Sequence, residues 1–197
     1  LIVALDWMML EQVCAFFGAH RELDGCAVSV NFSARQFLAP DAERRVLDTL
    51  ERHGLAPTRL KLELTERVLA GDIRRVRAVM EALAARGVEF YLDDFGTGYS
   101  NLSSVVSLPL QYVKVDRSLL EAATNGGGGA LLLRAVVETF RAMGRGILLE
   151  GVETLEQYEL ACTLRADRLQ GYYLARPMPG EELCALMRSG ARRTRRT

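Results

Sequence analysis

An α/β fold of the β/α-barrel type is predicted by three observations. Short β-like runs alternate with amphipathic helical runs along the chain, one residue parity within those runs is aliphatic throughout, and the other parity ends in polar and charged groups. The opening LIVALDWMMLEQV is interrupted by Asp6 and Glu11 in the manner of a soluble helix. Six strand candidates follow: AVSVNFS (Ala27 to Ser33), RLKLELTE (Arg59 to Glu66), VEFYLDDF (Val88 to Phe95), QYVKVDRS (Gln111 to Ser118), GILLEGVE (Gly146 to Glu153) and RLQGYYLA (Arg168 to Ala175). Helical runs such as Val68 to Ala85 and Leu131 to Met143 lie between them, as the crossovers of a parallel sheet require. The run Gly126 to Gly129 reads as a flexible loop before a helix, since no Gly-Lys-Ser/Thr follows to make it a phosphate loop.

Parallel strands covered by helices on both faces are apolar on both faces. Here Val28, Val30, Leu60, Leu62, Leu64, Phe90, Leu92, Val113, Val115, Ile147 and Leu149 form one aliphatic face, whereas Ser29, Lys61, Tyr91 and Arg168 stand on the other. A sheet with helices on one side and converging polar groups on the other is a barrel with a site at its mouth. In such barrels chemistry gathers at the carboxyl ends of several strands. Asn31, Glu63, Asp93, Lys114, Glu150 and Gln170 take that position on six different strands. A complete eight-stranded barrel takes about 250 residues, so two strands are expected ahead of Leu1.

The bulk numbers exclude several classes. With 49% hydrophobic residues in 197, the chain can bury a core of its own. Lys+Arg and Asp+Glu both number 25, so no broad field attracts DNA or an acidic membrane, and phosphate binding must be local. Residues 1–190 are read as one domain, and the basic 191–197 as a frayed, disordered tail. Cys14, Cys26, Cys162 and Cys184 lack metal-ligand spacing and sit in apolar segments, which suits buried, reduced thiols in a cytoplasmic protein. No apolar run approaches the ~20 residues that span a bilayer.

The stretch VEFYLDDFGTGYSNL places Asp93 and Asp94 side by side at a strand end. Two adjacent carboxylates repel unless a cation lies between them. Carboxylate and amide oxygens with no His or Cys nearby suit Mg²⁺ or Mn²⁺ rather than zinc. His20 and His53 fall on helical stretches away from the strand ends and are read as structural.

The stretches VNFSARQF, LKLELTERVL, LDDFGTGYSNLSSVVSLPLQYVKVDRSLL, LLEGVETLEQ and LQGYYLARPMPGEEL cover most of Val30 to Leu183. In order and spacing they resemble the EAL-domain phosphodiesterases, TIM-like barrels that hydrolyse the bacterial second messenger cyclic di-GMP to the linear dinucleotide pGpG. The resemblance implies two bound ions, Mg²⁺ or Mn²⁺. It makes Asn31, Glu63, Asp93, Asp94 and Glu150 metal ligands, with Asp93 shared between the ions. It gives Lys114 a place near the attacking water, with Glu66 and Asp116 beside it in catalysis. Glu66 is similar to the glutamate that tethers the DFGTG loop, and Gln170, Glu153 and Arg35 fall to substrate binding. From the residues alone, Lys114 either orients water, neutralises a phosphoryl oxygen, or pairs with a site carboxylate.

The sequence departs from the family in one respect: no Glu-Ala-Leu motif precedes Asn31. The motif is expected upstream of Leu1, and residues 1–197 by themselves are expected to be inactive. The alternative is a degenerate domain that binds cyclic di-GMP as a receptor or signalling module; retention of the other acidic ligands favours the enzyme. The resemblance further implies a homodimer through the segment after Asp94 and an upstream sensory or GGDEF domain. It implies no DNA and no membrane contact by this domain, although the parent could be membrane-anchored through others.

Overall fold

The computed structural model describes residues 2–65, 72–97 and 105–189. Helix α1 (Ile2–Ala19) leads into strand β1 (Val28–Asn31), then α2 (Ala34–Phe37) and α3 (Ala42–Arg52). Strand β2 (Leu60–Thr65), helix α4 (Ile73–Ala85), β3 (Glu89–Phe95) and β4 (Tyr112–Val115) follow. The chain continues through α5 (Arg117–Thr124), α6 (Gly129–Ala142), β5 (Gly146–Leu149), α7 (Leu155–Thr163), β6 (Arg168–Leu169) and α8 (Gly180–Arg188). All six strands pair in parallel with their neighbours in sequence, in the order β1 to β6. The result is a curled sheet, the half-barrel that the strand-helix alternation predicts.

The aliphatic parity makes the core. Leu60, Leu62, Leu64, Phe90, Leu92, Val113, Val115, Ile147 and Leu149 are buried in one cluster with Met80 and Leu83 of α4 and Leu133, Val137 and Phe140 of α6. Each such burial contributes about 1.5–3 kcal/mol, so the helix-covered face is what holds the strands in register.

The opposite parity is polar but satisfied at its lower end. Lys61 Nζ pairs with Glu89 at 2.9 Å and donates to the Thr58 carbonyl at 2.7 Å. The Arg168 guanidinium donates to the Tyr91 hydroxyl and lies 4.2 Å over the Tyr112 ring. Burial pushes the Tyr91 phenol up from its ordinary range, so it stays a neutral donor to Glu89. Gly146 makes room for this layer: a Cβ there would lie 2.3 Å from the Tyr112 ring. The mouth therefore has a filled floor beneath it.

Strand ends differ from the sequence expectation. Strand β6 stops at Leu169 instead of Ala175, because Leu174 and Ala175 donate back to the Gly171 carbonyl in a turn. Helix α4 is described only from Ile73, and Val68 to Gly71 lie outside the described residues. The tail at 191–197 also lies outside them. The cysteine expectation holds for Cys14 and Cys184, which are buried, but Cys162 is exposed on α7 and Cys26 half-buried; none is in a disulfide. An amphipathic helix places any residue by its angle around the axis, so apolar neighbours in sequence did not bury Cys162. No helix among the described residues is long and apolar enough to cross a membrane.

Both histidines serve helix packing. His20 Nδ1 lies 2.7 Å from the Phe16 carbonyl, and His53 at the end of α3 lies 2.7 Å from Glu11 of α1. Glu11 also accepts from Arg52 at 2.5 Å, and the hydrogen bonds from Arg52 and then His53 hold its carboxyl below the ordinary range. A depressed folded pKa means the pairing stabilises above the ordinary carboxylate pKa and is lost as pH falls through the folded value. Because Glu11 is 40% exposed, the effect is expected to stay within about 1 kcal/mol. Urea midpoints of E11Q should fall less than those of the parent chain between about pH 5 and pH 3; identical pH slopes would remove Glu11 from the account.

Candidate active site

Parallel register delivers the strand-end residues to one rim. Asn31 stands opposite Glu63 and Thr65 opposite Asp93. Glu150 continues the ladder past β5 by donating its N–H to the Val115 carbonyl, and Gln170 does so past β6 by donating to Leu149. Asn31 and Gln170 are exposed at the rim, while Glu63, Asp93 and Lys114 are buried and Glu150 is half-buried.

Lys114 is the hub. Its ammonium lies 2.9 Å from Glu63, 2.7 Å from Asp93 and 2.8 Å from Glu150, one carboxylate from each of three other strands or strand ends. Burial alone would lower the lysine pKa, but the close carboxylates of Asp93, Glu150 and Glu63 outweigh it and hold the group cationic, above its ordinary range. The Glu150 carboxyl is pushed up, chiefly by burial, with Lys114 opposing and Asp93 and Glu63 adding to the rise. The three contacts are unequal. The one to Glu63 has hydrogen-bond geometry, whereas Asp93 Oδ1 is buried and has no hydrogen-bond partner among the described residues in spite of its short ion-pair distance. The lysine holds that oxygen by charge, off the direction of a bond.

A strand's period of two should send Asp94 to the face opposite Asp93. The β3–β4 register shifts between Leu92 and Phe95, and Asp94 adopts a left-handed backbone with φ 57°. This bulge turns two successive carboxylates to the same side and returns Phe95 to the core, where its ring meets Phe140 edge-on at 4.8 Å. Asp93, Asp94 and Glu150 consequently each offer an oxygen within 4.8 Å of the others. Burial, followed by the neighbouring Asp93 and Asp116 charges, pushes the Asp94 carboxyl above its ordinary range. A buried carboxylate oxygen that lacks a hydrogen bond, in an all-oxygen donor set, fits a hard divalent cation.

Two cavities flank this centre. One of about 260 Å³ is lined by Asn31, Glu63, Thr65, Ser33, Phe32 and Asp6. Asp6 comes from α1, where the sequence marks it only as a polar residue of a soluble helix and gives no signal of a site. The other, of about 420 Å³, lies between the loops after β5 and β6 and includes Glu153, Gln170, Arg117, Tyr172 and Arg176. Arg176 stacks 4.6 Å from the Tyr172 ring, and Arg117 lies 3.8 Å from Glu153. The only sequence signal for Arg117 was its place directly after Asp116, and for Tyr172 its parity with Gln170. Glu153 is set at the cavity by the start of α7, where Gln157 Oε1 accepts from the Glu153 and Thr154 N–H groups. A cleft of about 420 Å³ between α3 and α4, around Ala39, Arg44 and Arg75, contains no strand-end residue.

The remaining candidates are placed differently. Asp116 caps α5, accepting from the Ser118 N–H at 2.9 Å, while its charge still acts on Asp94. Arg35 is exposed on α2 and does not line either flanking cavity. Glu66 lies outside the described residues.

Comparison with known proteins gives consistent findings. The family model described as "EAL domain" matches residues 1–177. The bifunctional diguanylate cyclase/cyclic di-GMP phosphodiesterase MucR of Pseudomonas aeruginosa is 36% identical over 190 residues, 94% of this chain and 27% of MucR. A MucR phosphodiesterase structure, a complex with c-di-GMP, matches 92% of this chain and 74% of that chain at a TM-score of 0.83, with 36% identity. The cyclic di-GMP phosphodiesterase PdeL of Escherichia coli is 31% identical over 194 residues, 96% of this chain and 54% of PdeL. BlrP1 of Klebsiella pneumoniae, solved as a manganese/c-di-GMP complex, is 27% identical with a TM-score of 0.78, covering 86% of this chain and 43% of that one. The chain thus spans about a quarter of MucR and about half of PdeL.

Proposed function

The chain belongs to the EAL domain family, and on that premise we propose that, within its intact parent protein, it hydrolyses cyclic di-GMP to pGpG with two divalent ions, Mg²⁺ or Mn²⁺. The observation that carries this reading is the paired Asp93 and Asp94 beside Glu150, turned to one side by a bulge and leaving a buried carboxylate oxygen without a hydrogen bond. Asn31, Glu63 and Asp93 would hold one ion, and Asp93, Asp94 and Glu150 the other. When bound, the ions supply an activated water and neutralise charge on the phosphoryl oxygens.

The residues of this chain then have distinct tasks. Lys114 keeps positive charge beside the phosphoryl group and orients the water through its ammonium. Water adds to phosphorus, the P–O3′ bond breaks, and the proton ends on the 3′ hydroxyl of pGpG. Gln170 and Glu153 present an amide and a carboxylate to the nucleotide from the larger flanking cavity, and Arg35, outside both cavities, is assigned to substrate on the family resemblance alone. Asp116 fixes the end of β4 by capping α5, and Glu66, which lies outside the described residues, takes the tethering role that the family resemblance implies. A further carboxylate from a Glu-Ala-Leu segment ahead of Leu1 would complete the site, so residues 1–197 alone are expected to turn over little or nothing. A homodimer joined near the segment after Asp94, an upstream sensory or GGDEF domain and a cytoplasmic location belong to the same reading. MucR, whose name includes a diguanylate cyclase activity, supports the multidomain part.

Chromatography of cyclic di-GMP incubated with the intact parent tests the reading. Metal-dependent formation of pGpG, abolished by a chelator, is expected. Tight binding of the nucleotide with no product under Mg²⁺ or Mn²⁺ would instead establish a receptor, and absence of both binding and product would sink both.

A further inference from the structure

We propose that Lys114 is the site's internal stand-in for a cation, so that a divalent ion enters by exchange and the lysine sets the ion affinity. The inference rests on the reading of the site as a divalent-cation centre. Three carboxylates suit an ion, Asp93, Asp94 and Glu150, and the Lys114 ammonium already holds two of them, at 2.7 and 2.8 Å. An ion that takes those oxygens must displace the ammonium or share them with it. Sharing brings a unit positive charge within a few ångströms of a divalent one in a poorly hydrated pocket, where repulsion is strong.

The three contacts indicate how the exchange runs. Lys114 has hydrogen-bond geometry only toward Glu63 among these three carboxylates, and its side chain is 5% exposed, so it cannot retreat to solvent. Asp93 Oδ1, held without a hydrogen bond, is the contact that costs least to break. Lys114 therefore stays on Glu63 Oε2 and releases Asp93 and Glu150 to the ion they share with Asp94, which leaves Glu63 Oε1 to the ion beside Asn31. In this position it borders the metal centre, and it balances the carboxylates when the ion leaves.

Calorimetric titration of the intact protein with Mn²⁺ alone tests the exchange. K114M is expected to bind Mn²⁺ at least about tenfold more tightly than the parent, because the competing charge is gone. A variant whose site is merely loosened would bind more weakly, so the sign of the change separates the two roles. Equal or weaker binding by K114M overturns the proposal, as does absence of Mn²⁺ binding in both proteins. Should K114M fail to fold, K114Q keeps a hydrogen-bond donor without the charge and must show the same tightening. Turnover of cyclic di-GMP is scored separately: a parent that makes pGpG while K114M binds Mn²⁺ no more tightly refutes the exchange and leaves the phosphodiesterase standing. Tighter binding in K114M with no turnover by the parent does the reverse.

Discussion

D93N is expected to lower metal-dependent hydrolysis of cyclic di-GMP by the intact protein at least about 10²–10³-fold, with little change in thermal midpoint. Asp93 and Glu150 are common to both arrangements at the mouth, since each touches Lys114 and belongs to the trio with Asp94, and Asp93 is the more deeply buried of the two. Asparagine keeps the shape and one oxygen but removes the charge that two cations would share. The fold should tolerate the change, because Lys114 retains Glu63 and Glu150 as partners. Product formation by chromatography and the melting curve should be measured on the same preparation. Near-parental turnover by D93N would refute a bridging role for this carboxylate. Loss of turnover with a collapsed midpoint would show that Asp93 acts on stability instead.

The second large effect concerns stability without metal. K114A should cost about 3–5 kcal/mol in urea unfolding with chelator present, because it strands Glu63, Asp93 and Glu150 in a buried pocket without a counter-charge. Adding Mn²⁺ should restore part of the loss, since an ion that binds the folded state shifts the equilibrium toward it. By contrast, R77A removes an exposed pair with Glu81 at 2.7 Å and should cost under about 1 kcal/mol. A K114A cost as small as that of R77A would mean that water already screens the cluster.

Much of the site was legible because strand parity is a one-dimensional signal. Once Val113 and Val115 are assigned to the helix-covered face, Lys114 between them must point the other way, and the same logic places Glu63 between Leu62 and Leu64. Strand lengths were less legible. The run RLQGYYLA has the composition of a strand, yet its glycine begins a turn and only Arg168 and Leu169 pair. Asp116 illustrates a different limit: a carboxylate at the end of a strand is also the residue before a helix, and only the backbone shows that it accepts from Ser118. Arg117 opens α5 whereas Tyr172 and Arg176 follow β6, so these residues line one cavity only because the fold brings distant parts of the chain together.

What the sequence determined by itself is the alternation of strand and helix, the aliphatic face that buries against the helices, and the set of polar residues that reach the mouth. These follow from local periodicity and from the insolubility of apolar side chains, neither of which needs coordinates. The tertiary structure decided the order of contacts within that set. Parity alone sends Asp93 and Asp94 to opposite faces; a bulge that holds Asp94 at φ 57° brings them together beside Glu150. It also settled Lys114 among three carboxylates, because a buried ammonium can remain charged only where strands distant in sequence bring enough negative charge to hold it.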